Sequence, residues 1–262
     1  MHLVKAIRSE LIKLKYPPLL WLIGFVTITT LAIVFSAHYI DIHNSVRLGV
    51  NPWIRVSATG LALFSMFVGT PFVILLISAL LFIEHQNLGF KQLYTLPKRR
   101  EVLISYKLIA IFLTLIFTLL LLAIGLIAIG YLLYVIYPET EFTYYKLPLL
   151  AMLKGSGGYI ISTLGIIGVQ YFLAIRFKGF LVPASFGILA YIIGFILASI
   201  GNTLAFFSPY SYTMIATDND QFGLSSYEIK QFGIFNEVQL YSLIFFFTFI
   251  LMSFYLERNR NI

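Results

Sequence analysis

The sequence predicts an all-α, polytopic membrane protein with six transmembrane helices, and three observations carry that prediction. Charged residues are 11% of the 262 residues and hydrophobic residues 60%, whereas a soluble domain carries about 25% charged residues. Six apolar runs recur along the chain, each long enough to cross the hydrocarbon core as a helix. Lys and Arg nearly vanish from those runs and gather on alternate connections, which is the pattern that orients membrane helices. No stretch outside the runs is long enough for a separate soluble domain, so residues 1–262 read as one transmembrane domain. The absence of cysteine excludes disulfides and thiolate metal sites. The net charge of +7 is placed for topology, not for nucleic acid.

Residues 1–16 come first. Leu3, Ile7, Leu11 and Leu14 fall on one helical face, and Lys5, Arg8, Lys13 and Lys15 lie largely off it. This predicts an amphipathic helix on the inner membrane surface, its lysines near anionic lipid headgroups. Glu10 and the four basic residues argue against a secretory signal. Tyr16-Pro17-Pro18 then breaks the helix.

The spans are expected at 18–37, 60–83, 108–136, 155–175, 180–200 and 238–256. The third exceeds the bilayer thickness and is expected to tilt or protrude. With both termini in the cytoplasm, thirteen of the 18 basic residues lie inside. The five outside are Arg47, Arg55, Lys146, Lys154 and Lys230. Four acids (Glu10, Glu84, Glu101, Glu257) lie inside and seven outside. This orientation follows the positive-inside bias.

The outer segment 201–237 begins apolar at Thr203-Leu204-Ala205-Phe206-Phe207, turns at Ser208-Pro209, and becomes acidic at Asp218 and Asp220. It is too short and broken to span. It reads as a re-entrant or interfacial hairpin packed against protein, where its open backbone is satisfied. Phe206, Phe207, Tyr210 and Tyr212 form a candidate outer gate or substrate contact. In the fifth span, Ala190, Gly194 and Ala198 recur every four residues, a spacing that lets helices approach closely. A dimer seam and an internal contact both fit that spacing.

Two further constellations carry less. His38, Asp41 and His43 supply three donors without a fourth, so a solvent-facing loop is preferred to a metal site. Ser156 stands between Gly155 and Gly157, but a serine nucleophile needs a histidine base. All four histidines precede it, and the glycines read as helix packing.

The most organised polar feature is the connection 84–107. It holds an acid at a span end (Glu84), a flexible Gly89, and a short amphipathic segment (Leu88, Lys91, Gln92, Thr95). Pro97, the basic triplet Lys98-Arg99-Arg100 and Lys107 follow. An otherwise apolar protein that holds out one basic, ordered segment on the cytoplasmic side presents it to a soluble partner. The plainer reading is an ordinary positive-inside loop.

This order of residues resembles the loop between spans two and three in permease subunits of ABC exporters, the group that includes bacitracin and lantibiotic self-immunity transporters. Glu84, Gly89, Leu93, Leu96, Pro97 and Arg100 match that pattern, while Phe90 stands where the group has Thr. Glu10 to Lys15 is similar to the group's Glu-x-x-Lys-Leu-Lys opening. The resemblance implies that Glu84, Leu88, Gly89, Phe90, Lys91, Leu93, Leu96, Pro97 and Arg100 form a coupling helix seated in a separate cytoplasmic ABC ATPase. It implies a second permease copy, or a similar permease, across the transport path. ATP and Mg would be bound by the partner, since this chain has no Gly-x-x-x-x-Gly-Lys-[Ser/Thr] loop and is not expected to be an enzyme. The expected cargo is a peptide antibiotic or another amphipathic, lipid-like compound. An ATPase-recruiting scaffold of cell-envelope machinery is an alternative. A stand-alone carrier or channel is another, disfavoured by the lack of ionisable residues within the spans.

Overall fold

The computed structural model describes residues 17–40, 51–86, 100–140, 142–177, 179–217, 229–232 and 235–258. The amphipathic segment 1–16, with Leu3, Ile7, Glu10, Leu11 and Leu14, lies outside the described residues. So does the stretch 87–99, with Leu88, Gly89, Phe90, Lys91, Leu93, Leu96 and Pro97.

Among the described residues there are eight α-helices. They are α1 (Pro17–Ile40), α2 (Pro52–Leu63), α3 (Thr70–Gln86), α4 (Arg100–Ile136), α5 (Leu149–Arg176), α6 (Leu181–Ser199), α7 (Tyr212–Thr217) and α8 (Glu237–Arg258). A π-helix, Phe64–Gly69, joins α2 to α3, so the two make a single crossing. Six helical runs are long and apolar enough to cross a membrane, and the fold is the polytopic all-α class.

The helix ends depart from the apolar runs for identifiable reasons. The second crossing begins at Pro52, where the hydropathy run begins at residue 60. Asn51 Oδ1 accepts from Trp53 N at 3.0 Å and Pro52 takes the first helical position, an N-terminal signal that hydropathy does not see. Arg55, expected in an outer loop, therefore lies within α2. Helix α4 opens at Arg100 instead of residue 108, and α3 runs to Gln86. The connection expected over 84–107 thus narrows to 87–99, with Glu84 inside a helix and Arg100 at the start of one. A helix satisfies its own backbone wherever the chain passes from hydrocarbon to headgroups, so it need not stop where apolarity stops.

Contacts sort the connections into two ends of the bundle. At one end Tyr39 meets Tyr137 at 5.9 Å between ring centroids. There, too, Trp53 Nε1 donates to Phe142 O at 2.8 Å, and the Trp53 ring packs edge-on against Phe142 and Tyr131. At the other end Phe82 meets Phe180 at 6.0 Å, beside Pro18 and Leu19. Helix α3 ends, and α4 begins, at this second end.

Helix α5 is the most enclosed crossing. Of its apolar window 67% is buried, against 28% for α6 and α8. Its closest neighbour is α8, and glycine makes that approach possible: a Cβ at Gly168 would lie 2.9 Å from Phe246 Cα. Ser242 Oγ accepts from Gly165 N at 2.8 Å and donates to Ile161 O at 2.8 Å. Lipid gives no hydrophobic drive between helices, so small residues and interhelical hydrogen bonds of this kind hold them together. The outward faces of α6 and α8 carry large apolar side chains such as Leu189, Ile193, Phe247 and Leu251.

Candidate functional site: an inserted segment and an amphipathic cleft

The segment after α6 turns back into the bundle. Gly201 adopts φ +68. Its N–H bonds to Ala198 O, and Asn202 N–H bonds to Leu197 O. This is a Schellman end, which needs a residue without a Cβ penalty at that position. Two short 3₁₀ turns follow, Thr203–Phe207 and Pro209–Ser211, leading into α7.

Irregular backbone at membrane depth must be satisfied by protein, and side-chain hydroxyls meet that demand. Ser211 Oγ lies 2.5 Å from Ala205 O and 2.7 Å from Ser208 O. Tyr212 donates its hydroxyl to Phe206 O at 2.8 Å. Ala205, Tyr212, Met214 and Ile215 are buried with Met66 and Val238.

Two anchors hold this segment. The first is the π-helix. Thr70 Oγ1 and Thr213 Oγ1 are 2.8 Å apart, and Ser65 Oγ and Thr217 Oγ1 are 2.5 Å apart. Tyr191 of α6 donates its hydroxyl to Met66 O. A π-turn widens the helix and displaces carbonyls from the regular ladder, which is why such turns recur at functional sites. Gly69 is required there, because a Cβ would come within 2.5 Å of the Tyr159 hydroxyl.

The second anchor is Gln170, fully buried in α5. Its Nε2 donates to Ser78 Oγ at 2.9 Å and to Pro183 O at 2.7 Å, and its Oε1 accepts from Tyr210 at 3.1 Å. One amide thereby joins α3, α5, α6 and the inserted segment.

Beside this segment a cleft of about 560 Å³ opens between α2, α4, α5 and the start of α8. Its inner wall is Leu61, Leu119, Leu122 and Leu126. One lip is Lys154 and Ser156, and the other is Gln231, Asn236 and Gln239. That second lip is built by a two-stranded hairpin, β1 (Gln231–Phe232) with β2 (Phe235–Asn236), paired Gln231 to Asn236. A capping box closes it: Asn236 Oδ1 accepts from Gln239 N at 2.8 Å, and Gln239 Oε1 accepts from Asn236 N at 3.0 Å.

The aromatic residues singled out as an outer gate do not form one cluster. Tyr210 points to Gln170 and Tyr212 packs near Phe245. Phe206 lies edge-on to Tyr241, and Phe207 is exposed. Phe206 and Tyr212 stay together against α8, whereas the short turns send Tyr210 and Phe207 elsewhere. Gly194 faces the inserted segment, where a Cβ would meet Ser208 Oγ at 3.1 Å and Ser211 N at 3.3 Å. Ala198 is buried against the same segment and Ala190 packs on the main core. His38 sits in the last turn of α1 with Nδ1 3.0 Å from Val34 O, not in a loop. Gln170, the π-helix and the Gly165–Gly168 contact were not anticipated. A glutamine inside an otherwise apolar run was the available signal for the first.

Residues 6–197 match the model of a family described as ABC-2 family transporter protein. The matched region runs from the N-terminal segment through most of α6 and stops before the inserted segment and α8. No curated protein and no solved structure matches the chain.

Proposed function

The chain belongs to the ABC-2 family of transporter proteins, and on that premise we propose that it is the membrane subunit of an ATP-driven exporter of amphipathic compounds. Family membership makes it the transmembrane component of an ABC transporter, with the ATPase in a partner. The finer reading concerns direction, cargo and coupling. The stretch 87–99 with its flanks Glu84 and Arg100 is the coupling element that docks on the ATPase. A second copy, or a similar permease, completes the transport path. ATP and Mg stay in the partner, and peptide antibiotics and lipid-like molecules are the cargo class.

The observation that carries this reading is positional. The family match covers residues 6–197, which include most of the N-terminal segment and the whole basic connection, and that connection falls in sequence between the two longest crossings. A transporter subunit of six apolar crossings without a phosphate-binding loop takes its energy from a partner, and in sequence this is its most basic connection.

Co-purification tests the coupling. Candidate ABC ATPases from the same genome are co-expressed with the chain and with a Leu93→Asp, Leu96→Asp variant. One ATPase is expected to co-purify with the unmodified chain and to be lost from the variant. Failure of every ATPase to bind the unmodified chain contradicts the reading and favours a stand-alone carrier or channel. An ATPase that binds without driving movement favours the scaffold.

A further inference from the structure

We propose that the cleft between α2, α4 and α5 is a binding site for a single-chain anionic amphipath, with the alkyl chain on the leucine wall and the anionic head at Lys154. The proposal deepens the exporter reading and rests on it for treating the ligand as cargo, whereas binding itself stands on the cleft alone.

Size and polarity lead to this ligand class. A volume of about 560 Å³ lies within the range of small-molecule sites, roughly 300–1,000 Å³. Leu119, Leu122 and Leu126 line it along α4, a run of about 10 Å at 1.5 Å per residue. At the level of Lys154 the wall is packed against α2: Leu126 Cδ2 lies 2.5 Å from the Cβ position of Gly60, and Leu61 Cδ2 lies 2.7 Å from that of Gly155. The apolar part is therefore a leucine-lined slot that suits one alkyl chain.

The mouth has the opposite character, and most of its neutral groups are already engaged. Ser57 Oγ donates to Ile54 O, Thr217 Oγ1 donates to Thr213 O, and Gln239 and Asn236 cap each other. Lys154 is the one charged side chain among the described residues lining the cleft. An ammonium offers three donors and a full charge, so it selects an anion. A cationic amphipath is repelled there, and a small hydrophilic anion leaves the leucine wall uncovered.

The test uses the purified full chain in a neutral detergent. The probe is an alkyl phosphate carrying a diazirine near the chain terminus, with cross-links mapped by mass spectrometry. The site predicts labelling of Leu119, Leu122 or Leu126, competition by dodecyl phosphate, and little competition by dodecyltrimethylammonium or inorganic phosphate. Lys154→Gln is expected to weaken binding about tenfold, consistent with one screened charge pair, and Lys154→Glu to reverse the charge preference. Ala123→Trp, which fills the slot from its wall, should abolish labelling while leaving Lys154 in place.

Labelling confined to the outward-facing Leu120 and Ile124, 53% and 64% exposed, overturns the site, as does equal competition by cation and anion. Neither result touches the exporter reading. Conversely, site labelling without any ATP-driven movement of the probe upholds the site and contradicts the exporter reading.

Discussion

Tyr210 reaches from the inserted segment to Gln170 in the C-terminal part of α5, donating its hydroxyl to Oε1 at 3.1 Å. Because the same amide donates to Ser78 and Pro183, this contact closes a buried polar network across four elements. Removing the amide strands several buried groups, whereas removing the Tyr210 hydroxyl leaves one acceptor short. Gln170→Leu is expected to cost about 1–3 kcal/mol and Tyr210→Phe about 0.5–1.5 kcal/mol. The double variant should lose less than the sum, because the two share a bond. Thermal unfolding in detergent, read by tryptophan fluorescence, checks both.

The α5–α8 seam depends on glycine at one level. Gly168→Val places carbon against the Phe246 backbone, so the helices must separate. Overpacking of this kind costs about 1–3 kcal/mol, and a backbone obstacle puts this case at the upper end. Gly157, whose Cβ position meets nothing within 4 Å, is the control: Gly157→Ala should be neutral or slightly stabilising. The same unfolding assay separates them.

The anchoring of α7 on the π-helix can be read covalently, because the native chain contains no cysteine. Ser65→Cys with Thr217→Cys replaces two hydroxyl oxygens 2.5 Å apart with sulfurs that need approach only to about 2.05 Å to bond. Oxidation should give an intramolecular disulfide, seen as a reducible shift in electrophoretic mobility. Ser65→Cys paired with the exposed Phe207→Cys should not cross-link.

How far the sequence reaches is clearest at the edges of elements. Hydropathy alone gives the six crossings, because each must hide its backbone in hydrocarbon and can do so only as an apolar helix. It misplaces their ends at Pro52 and Arg100, where caps and interfacial turns decide. The inserted segment was legible as too broken to span, and its proline and serines mark the turns. What it would bind to was not legible. The Ser65–Thr217 and Thr70–Thr213 pairs join residues more than 140 positions apart, and a π-turn is set by such partners, not by local composition. The cleft was illegible for the same reason. Leu61, Leu122 and Lys154 are unremarkable in their own runs and meet only through packing.

Orientation follows from the charge bias and is open to direct labelling. Tyr144, 83% exposed at the end opposite the 87–99 stretch, is expected outside. In intact cells Tyr144→Cys should react with a membrane-impermeant maleimide, and Leu93→Cys should react only after permeabilisation. The reverse pattern would invert the topology and place the basic stretch away from any cytoplasmic partner.

The account's central claim is ATP-driven movement through this chain, and inverted membrane vesicles containing the chain with its ATPase test it most directly. The measured quantity is accumulation of a fluorescent alkyl phosphate inside the vesicles, with ATP and with a non-hydrolysable analogue. The account predicts accumulation that requires ATP hydrolysis and disappears with Leu93→Asp, Leu96→Asp. Accumulation that is equal with the analogue, or unchanged in the variant, would contradict it.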